Sequence, residues 1–156
     1  MTRTRLSHAL VFIALAAALS AFAKPNFTGD WKLNISKSTF GQMPAPSSLT
    51  SKITHDEPKL KSVTKSSSDQ GDFDFEANYT TDGKECTNEM FGSPVKSVLK
   101  WDGETLIIDS KAQFGDNEFT LVDKWTLSAD GKIMTIVRAF KSPMGEGEQK
   151  LVFEKQ

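Results

Sequence analysis

Residues 27–35 read Phe-Thr-Gly-Asp-Trp-Lys-Leu-Asn-Ile, with apolar or small residues at the odd positions and polar residues at the even ones. A period of two predicts a β-strand with one dry and one wet face. Gly29 lies on the dry side just before Trp31, where a missing side chain leaves room for a bulky ring or a strand crossing. Residues 36–48 lose the periodicity and contain Gly41, Pro44 and Pro46, which predicts a loop. Its Phe40 and Met43 are free to fold back over a rim. From Leu49 onward the chain breaks into short segments: 49–55, 60–65, 73–79, 85–91, 95–101, 104–114, 118–127, 132–140 and 148–155. Asp-Gly closes three of the turns, at 82–83, 102–103 and 130–131, and supplies the positive φ that tight hairpins need. No segment after residue 23 carries a helical stripe.

Successive hairpins imply an antiparallel, up-and-down meander. An open sheet of this length exposes two edges, and closure removes them. The expected fold is therefore an all-β meander barrel of eight to ten strands, with a two-sheet sandwich as the competing architecture. A barrel this wide has more interior than side chains readily fill, so a cavity is expected.

The first 23 residues change the picture of where the protein works. Arg3 and Arg5 precede an apolar run from Ala9 to Leu19, and Ala21-Phe22-Ala23 offers small residues at a cleavage site. This is the pattern of a cleaved signal peptide. The expected mature chain is 24–156, one domain, exported to a periplasm or to the exterior. Loss of both arginines takes the formal net charge from −1 to −3, which argues against nucleic acid as a partner. No later apolar run is long enough for membrane insertion after cleavage, and a monomer is expected. Cys86 is the single cysteine, so no intrachain disulfide can form and the core must carry the stability.

Phe27-X-Gly29-X-Trp31-Lys32-Leu33 resembles the opening strand of the lipocalin and fatty-acid-binding superfamily, the calycins. Lys100-Trp101-Asp102-Gly103 is similar to a late hairpin of the fatty-acid-binding branch, and Leu151-Val152-Phe153-Glu154-Lys155 to its closing strand. The whole also looks like the secreted lipocalin-like proteins of bacteria. The resemblance implies a barrel with Trp31 across its floor and a lipophilic ligand inside. Two features depart from the pattern. Loop 36–48 stands where that branch has two portal helices. Leu151 and Phe153 stand where its closing strand has an inward Arg-X-Tyr that grips a carboxylate.

Candidate chemistry centres on Arg138, the one arginine beyond the leader. If Asp130-Gly131 form a two-residue loop, Leu127 faces Met134, Trp125 faces Ile136 and Asp123 faces Arg138, which puts an ion pair inside the barrel. If the loop has three residues with a bulge at Gly131, the register slips by one and Arg138 points to solvent. Cys86 lacks a nearby base and reads as a small buried thiol. His55 has no ligand-spaced partner, so no metal site is expected; it ends its strand as a rim residue. Asp72, Asp74 and Glu76 alternate with Phe73, Phe75 and Ala77 and form a wet face. No catalytic residue and no cofactor is expected. The expected ligand-binding set is Arg138, Asp123, Trp125, Trp101, Phe153, Leu151 and Phe75, and the expected function is non-enzymatic binding of a small hydrophobic molecule. The alternative is a filled barrel serving as an interaction module or inhibitor.

Overall fold

The computed structural model describes residues 23–143 and 145–156. The predicted leader, apart from Ala23, lies outside the described residues. Ten antiparallel strands follow in order: β1 (Gly29–Leu33), β2 (Ser48–Asp56), β3 (Lys59–Ser68), β4 (Gly71–Thr80), β5 (Glu85–Met90), β6 (Ser93–Asp102), β7 (Thr105–Phe114), β8 (Asn117–Leu127), β9 (Ile133–Ser142) and β10 (Gly145–Lys155). They form one sheet in the order β4-β3-β2-β1-β10-β9-β8-β7-β6-β5. The first and last strands pair with each other, Trp31 opposite Lys155 and Leu33 opposite Phe153. The sheet thus curls into a nearly closed meander barrel. Apart from one short 3-10 turn at Ile35–Lys37, no helix occurs among the described residues.

The seam lies between β4 and β5, the two ends of the strand order. Asn88 spans it with its side chain. Its Oδ1 accepts the Asn78 backbone N–H at 2.7 Å, and its Nδ2 donates to the Asn78 carbonyl at 3.2 Å. One amide thereby satisfies both backbone groups of a residue on an unpaired edge.

The burial pattern divides the interior into two ends. The floor is packed: Phe27, Trp31, Leu60, Leu106 and Met134 are all essentially inaccessible. Trp31 Nε1 donates to the Phe27 carbonyl at 2.9 Å, so the indole is sealed with its one polar atom satisfied. A side chain at Gly29 would meet the stem of Lys155, with its Cε 2.5 Å from the position of the added Cβ. The room left by this glycine is filled by that lysine, whose Nζ lies 5.4 Å from the Trp31 ring centre, and not by a ring or a strand crossing.

Residues 24–28 fold across the closed end. Phe27 stacks on His55 (5.9 Å between ring centres) and on Trp101 (6.1 Å), and meets Trp125 edge-on at 5.6 Å. His55 is buried there and is not a rim residue. Its Nδ1 accepts the Phe27 backbone N–H at 3.3 Å, which leaves Nε2 to carry the proton toward Glu57 at 3.1 Å. Glu57 also accepts from Trp101 Nε1 at 2.8 Å and from Thr81 Oγ1 at 2.7 Å. One carboxylate so ties the β2–β3, β4–β5 and β6–β7 ends together. Burial alone would raise its pKa, but the hydrogen bonds from Thr81, Trp101 and His55 and the charge of Lys24 outweigh it and hold the carboxyl below its ordinary value.

Candidate functional site

The β8–β9 hairpin decides whether Arg138 enters the barrel. Leu127 pairs with Met134, Trp125 with Ile136 and Asp123 with Arg138. This is the inward register, although the loop is not the two-residue turn. Ser128 N–H donates to the Ile133 carbonyl and Gly131 N–H to the Ser128 carbonyl, so four residues, 129–132, make the connection. Loops of two and four residues leave the same partners opposite each other, which is why the longer loop preserves the register. Asp130 braces it by accepting from Ser128 Oγ at 2.6 Å and from the Lys132 N–H at 3.1 Å.

Arg138 Nε and Nη2 each donate to one oxygen of the Asp123 carboxylate, both at 2.8 Å. This two-pronged geometry is the strong form of the interaction. The Asp123 side chain is 5% exposed and that of Arg138 is 31% exposed. Protein closely surrounds the guanidinium, and this burial opposes its charge, but the neighbouring carboxylate more than compensates and raises its pKa. Tyr79 comes from the far side of the seam. Burial first, and the Asp123 charge second, push its phenol well above the usual range, so it stays a neutral hydroxyl.

Register places this pair in a row across five strands: Gln149, Arg138, Asp123, Ile108 and Leu99. The next row toward the floor is Leu151, Ile136, Trp125, Leu106 and Trp101. Trp125 is 7% exposed, and its Nε1–H has no hydrogen-bond partner among the described residues. The row toward the mouth carries Ser110 and Ser97, whose hydroxyls meet at 2.7 Å. On the opposite wall Ser51 contacts Ser62 at 3.0 Å and Thr64 at 3.2 Å.

The structure therefore brings Arg138, Asp123, Trp125 and Leu151 together. Trp101 and Phe153 lie in the floor, Trp101 bound to Glu57 and Phe153 paired with Leu33 and Met134. Phe75 is on the opposite wall beside Thr64, half-buried and stacked on Phe73 at 6.3 Å. Cys86 is half-buried, donates to the Ser97 carbonyl at 3.3 Å and has its thiol pKa pushed up by burial. The hydroxyls, Tyr79 and Gln149 were not among the expected site residues. A signal existed for the serines: Ser97 sits between Val95 and Leu99, and Ser110 between Ile108 and Ala112, on otherwise apolar faces.

The mouth is aromatic. Phe73 meets Phe91 at 4.9 Å, and Phe91 meets Phe114 at 6.4 Å. Phe40 of the β1–β2 loop packs against the core, whereas Met43 is 49% exposed. Two shallow grooves lie on the surface, one by the β3–β4 turn and one across β8–β10, and neither includes Arg138 or Asp123.

Comparison with solved structures settles the architecture. Zebrafish ileal bile acid-binding protein in complex with cholic acid aligns with a TM-score of 0.57 at 14% identity, covering 83% of this chain and 98% of that one. The fold is that of the calycin barrels. Secretory abundant heat soluble protein 4 from Ramazzottius varieornatus aligns with a TM-score of 0.59 at 18% identity, covering 88% and 99% of the two chains. A variant of the fluorescent protein UnaG aligns at 0.53 and 15%, covering 83% and 96%. No family model matches the chain, and no curated protein matches it. At these identities the likeness is one of fold.

Proposed function

We propose that the protein is an exported, monomeric, non-enzymatic carrier that holds a small lipophilic molecule inside its barrel. One observation carries this reading. Arg138 points inward from β9, in register with the buried Asp123, yet its side chain remains 31% exposed. A charged side chain in that position needs an interior that solvent, and hence a ligand, can reach. The apolar rows beneath it supply burial at about 25 cal/mol per Å², and the few convergent polar groups supply orientation. The neighbour crystallised with cholic acid supports such a use of the fold. Export is supported by the leader pattern of residues 1–23. Binding is favoured over catalysis because the thiol of Cys86 is held protonated by burial and His55 is committed to Phe27 and Glu57.

The mature protein is expected to enhance the emission of an apolar, environment-sensitive dye, and its tryptophan emission is expected to respond to titrated lipids. A flat response to fatty acids, long-chain alcohols and sterols alike would remove the carrier reading. A second reading, an interaction module with a filled core, is supported by Phe91, which is 76% exposed at the mouth. Native mass spectrometry of the protein taken from its source compartment separates the two, since a carrier leaves with a small ligand and a module with a protein.

A further inference from the structure

We propose that the polar end of the ligand is a neutral oxygen, an alcohol or carbonyl, and that Asp123 enforces this choice by occupying Arg138. The inference rests on the carrier reading above. Arg138 is the one inward cation among the described residues, since every lysine there is exposed. Asp123 takes two of its five N–H groups, through Nε and Nη2. The pair is therefore neutral as a unit. Its three remaining N–H groups can still donate to a further oxygen.

An incoming carboxylate would gain those donors but would sit beside the Asp123 carboxylate, whose side chain is 5% exposed, and like charges so close oppose each other. A hydroxyl or carbonyl oxygen takes the same hydrogen bonds without that conflict. The closing strand, with Leu151 and Phe153 facing the core, offers no second cation to relieve it.

A second observation points to the same ligand atom. Trp125 is the next inward residue from Asp123 along β8, is more than nine-tenths buried, and holds an N–H with no partner among the described residues. A buried donor lacking an acceptor is costly, and a ligand oxygen that came within reach of it would remove the cost. The other polar groups facing the interior include the uncharged hydroxyls of Ser97, Ser110, Ser51, Ser62 and Tyr79. They suit a neutral, oxygen-bearing lipid.

The test compares dodecan-1-ol with dodecanoate, two probes with the same apolar chain, by titrating tryptophan emission. Wild-type protein is expected to bind the alcohol at least tenfold more tightly. Asp123→Asn releases Arg138 and is expected to tighten dodecanoate by at least tenfold, reversing the order. The double variant Asp123→Asn with Arg138→Gln keeps a hydrogen-bonding pair without charge and covers the case in which the single variant does not fold. It is expected to retain the alcohol and to go on rejecting the acid. Equal or tighter binding of dodecanoate by the wild type overturns the proposal, as does an unchanged preference in Asp123→Asn or tight dodecanoate binding by the double variant. Loss of both probes from every folded protein, wild type included, overturns the carrier reading and this inference with it.

Discussion

The two ends of the barrel are built on opposite rules. At the floor each buried polar group has a named partner: Trp31 Nε1 donates to Phe27, His55 spends both ring nitrogens, and Glu57 accepts from three side chains. Large rings fill the space between them. Higher up, inward positions hold partly buried side chains such as Phe75, Leu121, Arg138 and Phe140. A buried indole N–H goes unpaired at the boundary. The floor is closely packed, and the upper half arranges partly exposed side chains around paired hydroxyls and the Asp123–Arg138 pair. The contrast shows why the fold can spare its upper interior: closure of the chain and sealing of the core are completed below it.

That division is open to direct attack. Trp31→Ala should produce the largest loss, about 3–5 kcal/mol, because it empties a fully buried ring site and orphans the Phe27 carbonyl. Phe75→Ala on the upper wall should cost less, about 1–2 kcal/mol, since that side chain is only partly buried. Its effect should appear in lipid titrations instead. Chemical denaturation of the two variants checks the contrast. Equal losses would show that the upper interior is packed like the floor.

The floor also carries a pH signature. The Glu57 carboxyl is held below its ordinary value of 4.5 in the folded protein. A depressed carboxylate stabilises the fold above its unfolded pKa, and that contribution is lost as pH falls through the folded one. The thermal midpoint should therefore be level near neutrality and decline from about pH 4.5 downward. Glu57→Gln should lower the midpoint at pH 7, and its difference from wild type should shrink as acid protonates the native carboxylate. A difference that is the same at pH 3 and pH 7 would mean that Glu57 acts by shape alone.

What was legible in the sequence follows the range of the interactions. The alternation in 27–35 and 73–79 and the Asp-Gly turns are local signals, and they were enough to predict a meander of eight to ten strands, of which the structure has ten. The Asp123–Arg138 register was within reach because even-numbered hairpin loops leave facing residues unchanged. The floor latch was not. Glu57 meets Thr81 and Trp101, 24 and 44 residues away, and no periodicity encodes a contact between non-adjacent hairpins. His55 looked like a rim residue because its strand ends there. It is buried because residues 24–28 fold back over it; the alternation that begins at Phe27 predicts a strand there, whereas β1 starts at Gly29 and Phe27 crosses the closed end instead. The serine hydroxyls were visible as polar interruptions of dry faces, but one such interruption looks the same whether it lines a site or merely fills space.

Phe91 is where the two design rules meet in one residue. It occupies the β5–β6 turn with φ of +51°, followed by Gly92 at +74°, the conformation in which Asn-Gly is favoured and a bulky side chain is strained. Its ring is 76% exposed, so little burial offsets that strain. Phe91→Asn should therefore raise stability by roughly 0.5–1 kcal/mol, the usual yield of matching a residue to its backbone. The same change removes the ring that joins Phe73 to Phe114 at the mouth. A carrier that gates its entrance with this ring should exchange ligand faster in the variant, which stopped-flow displacement of a bound dye would measure. A drop in stability with unchanged exchange would instead make Phe91 part of the packed structure and move the boundary between the two ends up to the rim.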